Sequence, residues 1–240
     1  MCSKITLSLT GQIIKMSNIK LEEERFKKML FYENEARRQG CAVIAGMDEA
    51  GRGAWAGPVV AGLVILPGDI FIAGLDDSKK LPEKKREALY EEITDKALHY
   101  SVGLCTSSVI DRKNILKATY MAMKKAVSSM KMSPDIIFID GRPVPDMGFS
   151  QISIVRGDSK SASIAAASII AKVTRDRMMK DFACVYPEYG FEKHKGYGTK
   201  LHMKNLAEYG ICPIHRKTFK PVKEVLSKKE MSSRQLDFIN

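Results

Sequence analysis

The chain has 240 residues, 45% of them apolar and 28% charged, with a formal net charge of +11. That is enough for one well-buried core with a small C-terminal lobe. No apolar run approaches a membrane span, and Met1 to Gln12 lacks the basic segment and apolar core of a signal peptide, which excludes membrane-embedded and exported classes. Cys2, Cys41, Cys105, Cys184 and Cys212 are scattered, odd in number and without metal-ligand spacing, so reduced thiols and a cytoplasmic location are expected. From Arg156 onward seventeen Lys/Arg face nine Asp/Glu, so most of the basic excess lies in the last third, where a polyanion would be gripped.

Residues 1–17 read as a tail, with Met16 as an alternative start. Over 18–39 the spacing of Leu21, Phe26, Met29, Leu30 and Ala36 predicts one amphipathic packing helix, stopped by Gly40. Next, the apolar segment from Val43 ends in Asp48-Glu49 and runs into the turn Gly51-Arg52-Gly53. Gly51, Gly53 and Gly57, with Asp76 or Asp77 downstream, superficially suggest a dinucleotide fingerprint, which needs the glycines to open a helix. The next segment is β-branched instead: Pro58 to Leu66 reads as a second strand closed by Pro67-Gly68, and an acidic pair would repel a pyrophosphate. The other reading is a metal site. Neighbouring strand side chains point to opposite faces, so Asp48 and Glu49 are expected to converge only if the strand finishes there. Such oxygen ligands suit Mg²⁺ or Mn²⁺. A solvated surface pair is the alternative.

Pro82 suits the first turn of a helix running to about His99, and Ser78-Lys79 before it are either phosphate-binding groups or helix-capping and solvated ones. Tyr100 to Ser107 reads as a third strand and Ile110 to about Met130 as a helix. Asp135 to Gly141 reads as a buried, central strand whose end carries Asp140, a ligand or an Asp-Gly turn residue. Gln151 to Val155 is a fifth strand. Ser161 to Ala183 is a helix dense in Ala and Ser, able to lie close to a sheet; Asp158 sits where its N-cap would be, and Asp176 suits a salt bridge. From Tyr186 to Val222 cations and rings alternate, which suits a nucleic-acid groove or the packing of a helical lobe, with Tyr197 set between two glycines. The four histidines show no zinc spacing.

Taken together, Asp48-Glu49-Ala50-Gly51-Arg52-Gly53, Gly57-Pro58-Val59, Asp77-Ser78-Lys79-Lys80-Leu81, Ile139-Asp140-Gly141, Gly157-Asp158-Ser159-Lys160, the run Ala165 to Asp176 and Lys195-Gly196-Tyr197-Gly198-Thr199 resemble bacterial ribonuclease HII in order, from about Ala42 to about Val222. The sister ribonuclease HIII is less similar: its arginine position is usually lysine, and it carries a large N-terminal domain. The resemblance implies an α/β fold, a ribonuclease H-like mixed five-stranded sheet flanked by helices, with a small C-terminal helical lobe. It divides the chain into a tail (1–17), a catalytic core with an N-terminal helix (18–184), a substrate-binding lobe (185–226) and a second tail (227–240). It implies a monomer acting on RNA–DNA hybrids and on duplex DNA containing ribonucleotides. Asp48, Glu49, Asp140 and Asp158 would hold two Mg²⁺ or Mn²⁺ ions, Asp158 being the family's fourth carboxylate. Gly51, Arg52 and Gly53 would sense the 2′-hydroxyl, Ser78, Lys79 and Lys195 would contact substrate, and Tyr197 would stack at the junction of RNA and DNA. Two rivals stay open at this point: a basic non-catalytic nucleic-acid binder, and a two-metal nuclease of the resolvase or transposase kind.

Overall fold

The computed structural model describes residues 19–227. The tail expected over 1–17, Met16 and all but the first residue of the C-terminal tail lie outside the described residues.

The helix expected over 18–39 is two segments, α1 (19–29) and α2 (Phe31–Arg38). They meet at Leu30, whose N–H is shared between the carbonyls of Phe26 and Lys27. Five strands come next: β1 (Ile44–Ala50), β2 (Val59–Ile65), β3 (His99–Cys105), β4 (Ile136–Asp140) and β5 (Gln151–Ile154). Their order is β3-β2-β1-β4-β5, with β1-β2 and β2-β3 antiparallel and β1-β4 and β4-β5 parallel. The mixed five-stranded sheet is therefore as expected, except that β1, not β4, is its central strand. β4 is paired on both edges by β1 and β5, and its two faces are buried in the clusters that contain Ile164 on one side and Ala122 on the other.

Helices cover both faces. On one, α6 (Ala162–Val185) crosses β1 and β2, with α3 (Glu83–Lys96) packed beside it. Its Ala- and Ser-rich surface meets Gly46 and Gly62, and a Cβ built on Gly46 would stand 2.0 Å from the Ser163 carbonyl carbon. On the other face lie α4 (Ser107–Lys113) and α5 (Ile115–Ser128). These replace the single helix expected from Ile110 to Met130, because Asn114 takes a positive φ of 70° and its side chain caps the N–H of Lys117 at 3.0 Å. Even-numbered β1 residues such as Ile44 join the α6 side, whereas Ala45 and Met47 join the cluster under α5.

After α6 come α7 (Phe191–His194), α8 (Lys200–Tyr209) and a last helical segment, α9 (220–227). This small lobe has its own apolar centre of Tyr189, Phe191 and Cys212, into which Ala56 and Met179 of the core project. Among the described residues no helix is long and apolar enough to cross a membrane, and Cys41, Cys105, Cys184 and Cys212 are free.

Because the contact at Gly46 is backbone against backbone, Gly46→Ala should destabilise the fold by about 1–3 kcal/mol, read as a lower denaturant midpoint at unchanged slope. An unaltered midpoint would mean that α6 moves aside freely.

Candidate active site

Strand register creates the acidic centre. Met47 pairs with Ile139 across the parallel β1-β4 ladder, so one step further Asp48 and Asp140 stand side by side on the α6 face. Asp158 arrives from the single 3₁₀ turn Gly157–Ser159, entered through Arg156 in a left-handed conformation. One carboxylate oxygen from each of Asp48, Asp140 and Asp158 lies within 4.8 Å of the other two. Asp158 is not the cap of α6; Ser161 does that work, accepting the N–H of Ile164 at 3.3 Å.

Glu49 departs from expectation. β1 continues to Ala50, so Asp48 and Glu49 alternate instead of converging, and Glu49 turns to the α5 side. There its Oε1 accepts from Arg52 Nη1 at 3.0 Å. It borders both a cleft of about 570 Å³ on the Asp48 side and one of about 400 Å³ that runs between Tyr120, Asp140 and Arg142. The end of the central strand thus passes between Asp48 and Glu49.

The acids are held against electrostatic preference. Asp48 is 3% exposed; its Oδ1 accepts the Glu49 N–H at 2.7 Å, and its Oδ2 is buried with no hydrogen-bond partner. Burial, then Glu49 and Asp140, raise its carboxyl well above the usual range. Burial also raises Glu49, against the pull of Arg52, and Asp140, against the Gly157 N–H that it accepts at 2.7 Å. Lys79 reaches in from an exposed position to 3.1 Å from Asp158. Burial opposes its charge, but Asp158, Asp48 and Asp77 outweigh that and raise its pKa. An orphaned buried oxygen amid three hard carboxylates, with one flexible ammonium supplying the countercharge, fits a divalent cation of the Mg²⁺ or Mn²⁺ kind.

Around this centre two buried arginines, which sequence reasoning missed, hold the loops. Arg175 donates to the carbonyls of Pro58 (2.9 Å), Lys195 (3.0 Å) and Ala56 (3.1 Å). Arg216 donates to those of Gly51 (2.7 Å), Arg52 (2.8 Å), Gly57 (3.0 Å) and Pro58 (3.1 Å). Both are fully buried, and among the described residues neither has a carboxylate partner. Burial, then the charge of Arg175, brings Arg216 down to about 9. A signal existed for Arg175: it falls at helical spacing between Ala171 and Met179, a cation inside a buried apolar stripe.

The remaining residues divide. Gly51 has φ +93°, and a Cβ there would collide with the Arg175 guanidinium, whereas Gly53 faces open space. Tyr197 lines the larger cleft, half-buried, with Arg175 Cζ 5.2 Å and Lys172 Nζ 5.6 Å from its ring centre. Its flanking glycines do not serve to expose it. A Cβ on Gly198 would lie 2.1 Å from the Trp55 ring, so they allow close packing against residues 55–56. The Ser78 hydroxyl is buried on that of Ser168 (2.8 Å), and the Lys195 ammonium is turned to the Glu192 carbonyl and to Glu83 (3.7 Å), outside the cleft. Asp176 is an ion-pair partner, 2.7 Å from Lys172 and 3.5 Å from Arg86.

A model of the family described as Ribonuclease HII matches residues 45–222. A Ribonuclease HII of Clostridioides difficile (strain 630) is 54% identical over 205 residues, 85% of this chain and 80% of the relative. Another, of Acetivibrio thermocellus, is 55% identical over 203 residues, 84% and 79% of the two chains. Among solved structures, that of the ribonuclease H2 from Pyrococcus horikoshii OT3 aligns with a TM-score of 0.64 at 30% identity, covering 78% of this chain and 98% of that one.

Raised carboxylate pKa values give stability that is fully present at low pH and is lost as pH climbs through them. In chelator, the melting midpoint should therefore fall as the pH rises above the ordinary carboxylate range of about 4, and Mn²⁺ at neutral pH should restore it. Asp48→Asn should raise the chelator midpoint by a few degrees, about 2–4 °C per kcal/mol, and remove the Mn²⁺ increment. A variant that still gains fully from Mn²⁺ would dismiss Asp48 as a ligand.

Proposed function

The chain belongs to the ribonuclease HII family and is an endonuclease that cleaves RNA in RNA–DNA hybrids; from that premise we propose that it also incises duplex DNA on the 5′ side of embedded ribonucleotides, leaving 3′-hydroxyl and 5′-phosphate ends. The observation that carries the reading is the triplet of carboxylate oxygens within 4.8 Å at the end of the sheet, one of its residues holding a buried, unpartnered oxygen.

Asp48, Asp140 and Asp158 would hold divalent cations, with Glu49 reaching a second from beneath the sheet edge. Two such ions, when bound, would supply a water made nucleophilic at neutral pH and neutralise charge on the leaving oxygen. The chain's own groups do the rest. Lys79 balances the acids through its 3.1 Å ion pair with Asp158, a countercharge that bound cations would replace. Arg52, half exposed on Glu49, is placed for a phosphate oxygen. Gly53, with open space on its Cβ side, admits a ribose whose 2′-hydroxyl can meet the main chain of residues 51–53, while the buried Arg216 takes up the carbonyls of Gly51 and Arg52. Tyr197 offers a ring face to a sugar or base, backed by two cations. Ser78 and Lys195 act by holding their segments, and residues 185–226 form the substrate-binding lobe. Free thiols at four positions support a reducing compartment such as the cytoplasm, and the chain is assigned as a monomer.

Matched duplexes differing by one 2′-oxygen test the reading. With Mg²⁺ only the ribonucleotide-bearing strand should be cut, 5′ of that residue. Asp140→Asn should lower this rate on the order of a thousandfold, equivalent to about 4 kcal/mol. Near-normal incision would defeat the metal assignment, and cutting of all-DNA would favour a resolvase-like enzyme.

Tyr197→Ala should change the ratio of kcat/KM between a single-ribonucleotide duplex and a continuous hybrid about tenfold, the worth of one lost stacking contact. Equal losses on both substrates would remove Tyr197 from junction recognition.

A further inference from the structure

Three of the four histidines, His194, His202 and His215, pack together under the Tyr197 turn, away from the acids. His202 and His215 are essentially without solvent contact. Their hydrogen bonds leave one proton arrangement. The Cys212 N–H donates to His215 Nδ1 at 2.9 Å, so that nitrogen bears no proton and Nε2 does. His215 Nε2 lies 3.0 Å from His202 Nε2, which must accept, leaving the single ring proton of neutral His202 on Nδ1. That Nδ1 donates at 3.0 Å to the carbonyl of Tyr197. A directed chain of neutral imidazoles thus runs from residue 212 to the residue that lines the cleft.

The surroundings favour that neutral state. The Cys212 thiol lies 3.1 Å from His215 Nδ1, and the Tyr189 ring stands edge-on 4.9 Å from His215. Trp55 covers His202 at 5.3 Å, and His194 stacks on it at 4.5 Å. Glu192 and Lys195 act on His194, Glu188 acts on Cys212 and Tyr189, and the Arg216 guanidinium next to His215 in the chain is turned to the carbonyls of residues 51–58. Among the described residues no carboxylate hydrogen-bonds to these rings. Burial brings both His202 and His215 down to about 4. Burial obliges each imidazole nitrogen to find a partner, and the partner on which this series ends is the Tyr197 carbonyl. The Tyr197 main chain is otherwise held by its N–H to the His194 carbonyl and its own carbonyl to the Thr199 N–H, both at 2.9 Å.

We propose that His202 and His215 are positioning residues for Tyr197, fixing through this directed chain the plane that its ring presents to the nucleic acid. The inference rests on Tyr197 meeting substrate, and the experiment separates the two. His202→Phe keeps an aromatic ring but donates nothing to Tyr197, whereas His202→Asn keeps a donor close to the Nδ1 position. His202→Phe should shift the single-ribonucleotide to continuous-hybrid preference about three- to tenfold in the same direction as Tyr197→Ala, the range expected for one lost hydrogen bond. His202→Asn should restore most of it, and His202→Phe should add nothing once Tyr197 is alanine. If Tyr197→Ala leaves the preference unchanged, the substrate role of Tyr197 falls. If Tyr197→Ala shifts the preference but His202→Phe does not, or His202→Phe acts equally with alanine at 197, the histidines only pack and the inference falls. Nitrogen-15 NMR of the wild-type imidazoles, which needs no variant to fold, should show His215 protonated on Nε2 and His202 on Nδ1; the opposite tautomer at His202 would overturn the proposal.

Discussion

The site depends on two buried guanidinium groups that, among the described residues, form no ion pair with a carboxylate. Arg175 and Arg216 together direct seven hydrogen bonds to main-chain carbonyls, nearly all of them from residues 51–58. A buried cation without a counterion is expensive, and carbonyl dipoles arranged around it are what makes it tolerable. The dependence is mutual. The loop folds so because its carbonyls converge on the cations, and the cations stay charged because the loop surrounds them. Through the Lys195 carbonyl, Arg175 also ties the Tyr197 turn of the lobe to residues 56–58 of the core, and Arg216 links Pro58 in turn to Gly51 and Arg52. Two segments far apart in sequence that face the same cleft are thereby held at a fixed separation.

The acidic centre obeys a different logic. Asp48 and Asp140 are adjacent because parallel strands in that register must bring them together, and backbone hydrogen bonds supply the energy that their repulsion costs. Lys79 offsets part of the cost from an exposed position, 3.1 Å from Asp158. Stability is given up at the centre and recovered in the well-packed faces beneath α5 and α6.

Both networks meet at Tyr197. Its ring rests on Arg175 and Lys172, and its carbonyl ends the histidine chain that begins at residue 212. The lobe is built around rings and neutral imidazoles, so its polar groups specify one arrangement in a region with a small apolar centre.

What the sequence determined by itself was local. The β-branched run after Pro58 excluded a dinucleotide-binding helix, the apolar runs leading into Asp48 and Asp140 marked two strands, of which only the second ends at its carboxylate, and motif order gave the family. Period-two and period-3.6 patterns are legible because burial of one face repeats along a segment. The break at Asn114 escaped them, since a single left-handed residue leaves the apolar spacing on either side intact. Only the tertiary structure decided which face Glu49 takes, that Ser161 and not Asp158 caps α6, that Arg175 and Arg216 serve a loop far away in the chain, and that the histidines join in series under the Tyr197 turn. The physical reason is that a buried polar group is defined by the partner that satisfies it, and for these residues the partners are main-chain carbonyls and rings that carry no side-chain signature and stand up to 165 positions away.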